Sequence, residues 1–150
     1  MLKKISISII SLFMLFIMTS SSFASQVDQN HIETQKLSKT NASINLWPGD
    51  KIPQVTSVEL YQLGYLQNGN VGIVLKVMGY GRDNTTIDGR RIFAIEQYPI
   101  VLSGNGADGF YYVYDLGDLK PGSYRFVSTF TSNEYPYTQR HFYDTLTVTE

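Results

Sequence analysis

The chain has 150 residues, 43% hydrophobic and 17% charged, with no cysteine and a formal net charge of −1. That length suits one domain, and the lack of cysteine excludes disulfide stapling and thiolate chemistry, so the fold must rest on burial alone. Beyond the N-terminus the basic residues are scattered, with Arg90-Arg91 the only adjacent pair, so nothing in the pattern favours nucleic acid.

Lys3 and Lys4, an apolar run from Ile5 to Met18 and the small residues from Thr19 to Ser25 form the pattern of a secretory signal peptide over residues 1–24, cleaved after Ala24. The apolar run falls short of the ~20 residues that span a bilayer. The cleavage point carries no cysteine for a lipid anchor, so the expected product is periplasmic or secreted and has no stable membrane anchor. Removal of two of the twelve basic residues and none of the thirteen acidic ones leaves ten against thirteen. Residues 25–46 are polar, with Ile32, Leu37 and Ile44 too far apart for a continuous apolar face; they read as a flexible leader, although a short helix over 31–37 is compatible with the pattern. Trp47-Pro48-Gly49-Asp50 marks the start of a folded domain over 47–150.

Val55 to Tyr65 is rich in β-branched and aromatic residues and reads as the first strand. Asn68-Gly69 is a hairpin signal, so Val71 to Val77 should return antiparallel. A polar loop from Arg82 to Thr86 is expected before Ile87. Asp88-Gly89 has type I′ composition, with Arg91 to Ile95 as its return strand. Tyr98 to Leu102 is a short run interrupted by Pro99, so it is either an edge strand or the start of a new one. Phe110 to Tyr114 precedes a turn in which Pro121-Gly122 suits a type II geometry. Beyond it Tyr124, Phe126 and Phe130 share one face of a strand, opposite Arg125, Val127 and Thr129. His141 to Val148 closes the series. About seven strands with regular turns indicate an all-β antiparallel sandwich; a small barrel is the alternative.

Leu119-Lys-Pro-Gly-Ser-Tyr-Arg-Phe126 resembles the turn into the penultimate strand of immunoglobulin-like and fibronectin type III-like sandwiches. The resemblance implies that the Tyr124 hydroxyl hydrogen-bonds back to the chain just upstream, as a tyrosine corner. It concerns architecture, not activity.

Gly104-Asn-Gly106-Ala-Asp-Gly109 spells the dinucleotide-binding motif. A strand-like Phe110 to Tyr114 follows where that motif needs a helix, so the stretch reads as a hairpin loop. His141 and Asp144, the best acid–base pair available, point to opposite faces of a strand, and no catalytic residues are assigned. Asp83, Asn84 and Asp88, or Asp108, Asp115 and Asp118, offer oxygen ligands for calcium without the order of a calcium loop, and they are good turn formers; no metal or cofactor is assigned. The strongest functional signal is eleven tyrosines. Tyr61, Tyr65, Tyr80 and Tyr98 lie near loop ends, while Tyr111, Tyr112, Tyr114 and Tyr143 suit strands. Tyr135 and Tyr137 fall in the last long connection, where their large, stiff rings suit recognition, and Trp47 is a further candidate contact. The expectation is a non-enzymatic exported module binding a glycan or a protein. A membrane-active or self-assembling protein built on the Val71–Val77 hairpin ranks second, and a hydrolase third.

Overall fold

The computed structural model describes residues 24–27, 29–34, 37, 52–102 and 106–150. Residues 1–23, on which the expected signal peptide falls, and 38–51, with Trp47, lie outside them. Among the described residues eight strands follow one another: β1 (Ser57–Tyr65), β2 (Val71–Met78), β3 (Gly81–Ile87), β4 (Arg90–Ile92), β5 (Ala94–Ile100), β6 (Gly109–Gly117), β7 (Gly122–Ser132) and β8 (Gln139–Val148). They form two four-stranded antiparallel sheets, ordered β1-β2-β6-β5 and β4-β3-β7-β8. The protein is therefore a β-sandwich and not a closed barrel.

The hairpin signals act as their chemistry requires. Gly69 (φ 84) turns the chain between β1 and β2, and Asp88 (φ 46) with Gly89 (φ 77) supplies the two positive φ values of a type I′ turn between β3 and β4. Pro99 sits in β5, an edge strand, where its missing N–H costs no ladder bond. Between the sheets, Ile73, Leu75 and Tyr112 from one side meet Phe126, Phe130 and Leu146 from the other, all buried. Tyr112 and Phe130 lie 4.8 Å apart between ring centres, and Tyr114 packs edge-on against Phe126 at 6.1 Å.

Three local expectations give way. The polar stretch Arg82–Thr86 is not a loop but most of β3, and its addition raises the strand count from about seven to eight. Alternation was hidden there because the inward positions, Asp83 and Thr85, are themselves polar. The reversal before β7 is not a type II turn at Pro121-Gly122. Gly122 has a φ of 157, already nearly extended, and the left-handed residue is Gly117 (φ 88). The Tyr124 hydroxyl nevertheless donates to the Lys120 carbonyl at 2.7 Å, the bond expected of a tyrosine corner.

The third concerns the leader, whose described residues pack against the domain. The Val27 N–H donates to the Thr147 carbonyl and the Thr147 N–H to the Ser25 carbonyl, both at 2.9 Å, a parallel bridge on the β8 edge. Ile32 and Tyr65 are then joined by a 2.8 Å bond, and Tyr65 and Asn30 by one of 3.0 Å. Ile32 and Leu37 end buried with Leu66, Val74 and Val113 on the outer face of the β1-β2-β6-β5 sheet. Gly72 makes room, because a Cβ there would lie 2.7 Å from Leu66 and 2.9 Å from Ile32. Widely spaced apolar residues need no continuous face when each fills a separate gap in an existing surface.

Candidate binding surface at the β7–β8 hairpin

The connection from β7 to β8 is held from below by a chain of hydroxyl and amide groups. The Ser132 N–H bonds the Thr138 carbonyl and the Tyr137 N–H bonds the Glu134 carbonyl, both at 2.8 Å. Ser132 Oγ accepts from the Val55 N–H at 2.8 Å and meets Thr138 Oγ1 at 2.7 Å. Thr138 Oγ1 donates to Gln54 Oε1 at 3.0 Å, and Gln54 Nε2 returns to the Glu134 carbonyl at 3.2 Å. Ser132 is fully buried, so the base of the loop is a satisfied polar network.

On this base the Tyr135-Pro136 peptide is cis and Tyr137 has a φ of 54. The two tyrosine rings stand edge to face, 6.3 Å between centres and 89° between planes. Tyr135 is 85% exposed and Tyr137 53%. The two residues singled out from the sequence are thus neighbours at a hairpin tip. At the same end of the sandwich, the buried Tyr80 hydroxyl donates to the Ala107 carbonyl, and Leu102, whose N–H bonds Asp108 Oδ2 at 2.6 Å, exposes 73% of its surface.

The remaining candidates separate. Trp47 lies outside the described residues, as do Gly104 and Asn105. Gly109 begins β6 directly, so a strand follows the glycine-rich stretch. His141 shares its Nδ1 with Thr129 Oγ1 at 2.9 Å, while Asp144 accepts the Thr145 N–H at 2.7 Å; the two do not meet. Asp88 accepts the Arg125 N–H, Asp115 accepts from Asn68, Asn70 and the Gly117 N–H, and Asp118 pairs with Lys120. Among the described residues no three carboxylates or histidines converge on one point. Tyr112 and Tyr114 are core, whereas Tyr143 is 75% exposed. Tyr61 lies on Tyr111 at 4.6 Å.

Sequence reasoning missed a polar cluster in the interior. The Tyr114 hydroxyl donates to Asp83 Oδ2 at 2.9 Å, Thr85 Oγ1 donates to Asp83 Oδ1 at 2.5 Å, and Thr85 meets Ser128 Oγ at 2.7 Å. Burial pushes the Asp83 carboxyl above its ordinary range, against the lowering effect of those hydrogen bonds and of Arg91. Burial also raises the Tyr114 hydroxyl well above a free phenol, with the Asp83 charge adding to it, and pushes Tyr112 up to about 12. The available signal was Asp83 and Thr85 at a spacing of two between strand-like flanks. Between the leader and β1 a cleft of about 260 Å³ is lined by Asn30, His31 and Gln62, and Gln62 Oε1 is buried there without a partner. Compared with protein families, with curated proteins and with solved structures, the chain finds no match.

Proposed function

We propose that the chain is an exported, non-enzymatic binding module of immunoglobulin-like type that recognises a glycan or protein ligand through the tip of its β7–β8 hairpin. The strand order supports the fold assignment: β1-β2-β6-β5 facing β4-β3-β7-β8 corresponds to A-B-E-D facing C′-C-F-G in that superfamily, and Tyr124 occupies the corner position at the start of the F strand. The observation that carries the function is the Tyr135–Tyr137 pair, two large rings fixed in mutual orientation and left open to solvent. Prearranged aromatic area of this kind binds at low entropic cost. The n-, h- and c-regions of the N-terminus support export to the periplasm or medium. No observation favours self-assembly through the Val71–Val77 hairpin, since β2 is bonded on both edges by β1 and β6.

The test is co-sedimentation of the chain from Ser25 to Glu150 with insoluble cell-wall polysaccharides, alongside capture of protein partners from culture medium. Tyr135→Ala/Tyr137→Ala should abolish binding while the melting midpoint moves by less than about 2 °C. A comparable loss of fold would show that the rings are structural, and undiminished binding would remove the tip from recognition.

A further inference from the structure

A second surface is built on the outer face of the β4-β3-β7-β8 sheet. Its register places Arg91, Thr86, Val127 and Tyr143 in one row across four strands. Arg82 lies toward one end of this face and Arg125 toward the other. Six residues of strand separate their levels, roughly 20 Å at ~3.4 Å per residue. The outward positions of these strands include no Asp or Glu; Asp88 sits at the rim and is engaged by the Arg125 backbone N–H, and the carboxyl of Asp83, on the inward side of β3, attracts Arg91. Among the described residues none of the three arginines makes an ion pair. Arg91 is held in place by a 3.4 Å bond to the Asp83 carbonyl and by the Phe93 ring 5.0 Å away. A solvated sheet face ordinarily mixes both signs of charge. Here a chain with more acids than bases beyond residue 24 gathers three arginines, of which Arg82 and Arg125 have no carboxylate partner among the described residues, on one flat face around an open tyrosine.

We propose that this face binds an extended polysaccharide bearing carboxylate groups. Guanidinium groups match carboxylates in a planar, two-bond geometry, and a spread of arginines along the strands suits acidic sugars repeated along a polymer rather than one small anion. Threonine hydroxyls between the arginines, with Thr129 tied to His141, supply donors and acceptors for sugar hydroxyls. The Tyr143 ring, 75% exposed in the central row, offers an apolar platform for a sugar face. This surface is separate from the hairpin tip and does not depend on it.

The experiment is affinity electrophoresis of the Ser25–Glu150 chain in gels containing polygalacturonate, with dextran as the neutral control and single-stranded DNA as the competing polyanion. Polygalacturonate should retard the protein, less so as salt is raised, and dextran should not. Arg82→Gln/Arg125→Gln should weaken binding about tenfold, since each lost charge-assisted contact removes part of one decade in affinity. Tyr143→Ala should weaken it severalfold, and Tyr135→Ala/Tyr137→Ala should leave it unchanged. The substituted side chains are exposed, so melting midpoints are expected to stay at the parent value, and folded variants make the comparison decisive. Absence of retardation, equal retardation by dextran, tighter binding of DNA, or arginine variants that bind like the parent would each overturn the proposal.

Discussion

The two outer faces of the sandwich are made from the same kind of antiparallel ladder and serve opposite ends. On the β1-β2-β6-β5 sheet, Val74 and Val113 face outward and are fully buried, because Ile32 and Leu37 of the leader lie over them. On the β4-β3-β7-β8 sheet the corresponding central position is Val127, half-buried and flanked by Thr86 and the open Tyr143. One face completes the core and the other meets the surroundings. A β-sandwich needs only its inner faces to fold, so what covers an outer face indicates whether it is structural or free to bind.

The largest contrast should come from putting a charge on each face. Val74→Asp buries an unpaired carboxylate and should cost about 3–5 kcal/mol, enough to unfold a marginal domain, whereas Val127→Asp should cost about 1 kcal/mol or less. Urea midpoints of the two variants measure the difference, and equal losses would erase the distinction. Next in size, Gly72→Ala forces a methyl into the Leu66–Ile32 contact and should cost about 1–3 kcal/mol, with faster hydrogen exchange at the Ile32 amide; Thr129→Ala on the open face should stay within about 0.5 kcal/mol.

The two sheets also differ in how they treat a carboxylate. Asp83, on β3, has a folded-state pKa raised by burial, so the native state binds its proton more readily than the unfolded chain does. Its contribution is most favourable at low pH and falls as pH rises from the unfolded value through the folded one. Asp115, on β6, is raised by desolvation but lowered further by the combined hydrogen bonds from Asn70, Asn68 and Gly117, so its pKa lies below the ordinary value; its contribution is present at neutral pH and lost on acidification. Asp83→Asn should therefore gain on the parent as pH rises above the ordinary value of 3.8 toward 7, and Asp115→Asn should lose ground on it as pH rises from well below 3.8 to just above it, as read from urea midpoints across each interval. A smaller effect, about 0.5–1 kcal/mol, is expected for Tyr124→Phe, which removes only the hydrogen bond to Lys120.

Most of the sandwich was legible because its turns are chemically explicit: Asn68-Gly69, Asp88-Gly89 and the Tyr124 corner each dictate a local geometry, and most of the intervening strands alternate. β3 was not legible as a strand, because Asp83 and Thr85 put polar groups where alternation demands apolar ones, and their hydrogen-bond partners lie far away in sequence on β6 and β7. The packing of the leader's described residues was hidden for a related reason. Ile32 and Leu37 form no face of their own and acquire one only against Val74 and Val113, whose outward burial is masked inside an apolar strand, while Val27 joins the core between the sheets. Composition and position singled out Tyr135 and Tyr137, which stand side by side and exposed at a hairpin tip, but gave no sign of the cationic face. Arg82, Arg91 and Arg125 are scattered along the chain and meet only through sheet register.

The described residues of the leader belong to the fold and separate a covered face from an open one. Equilibrium urea denaturation of Ile32→Ala/Leu37→Ala in the Ser25–Glu150 chain tests this most directly. The expected result is a loss of about 2–4 kcal/mol, limited by the free energy with which the leader docks, together with new binding of a hydrophobic dye at the uncovered sheet. A midpoint unchanged within about 0.5 kcal/mol, with no dye binding, would show the leader to be a free tail and the two faces to be equivalent.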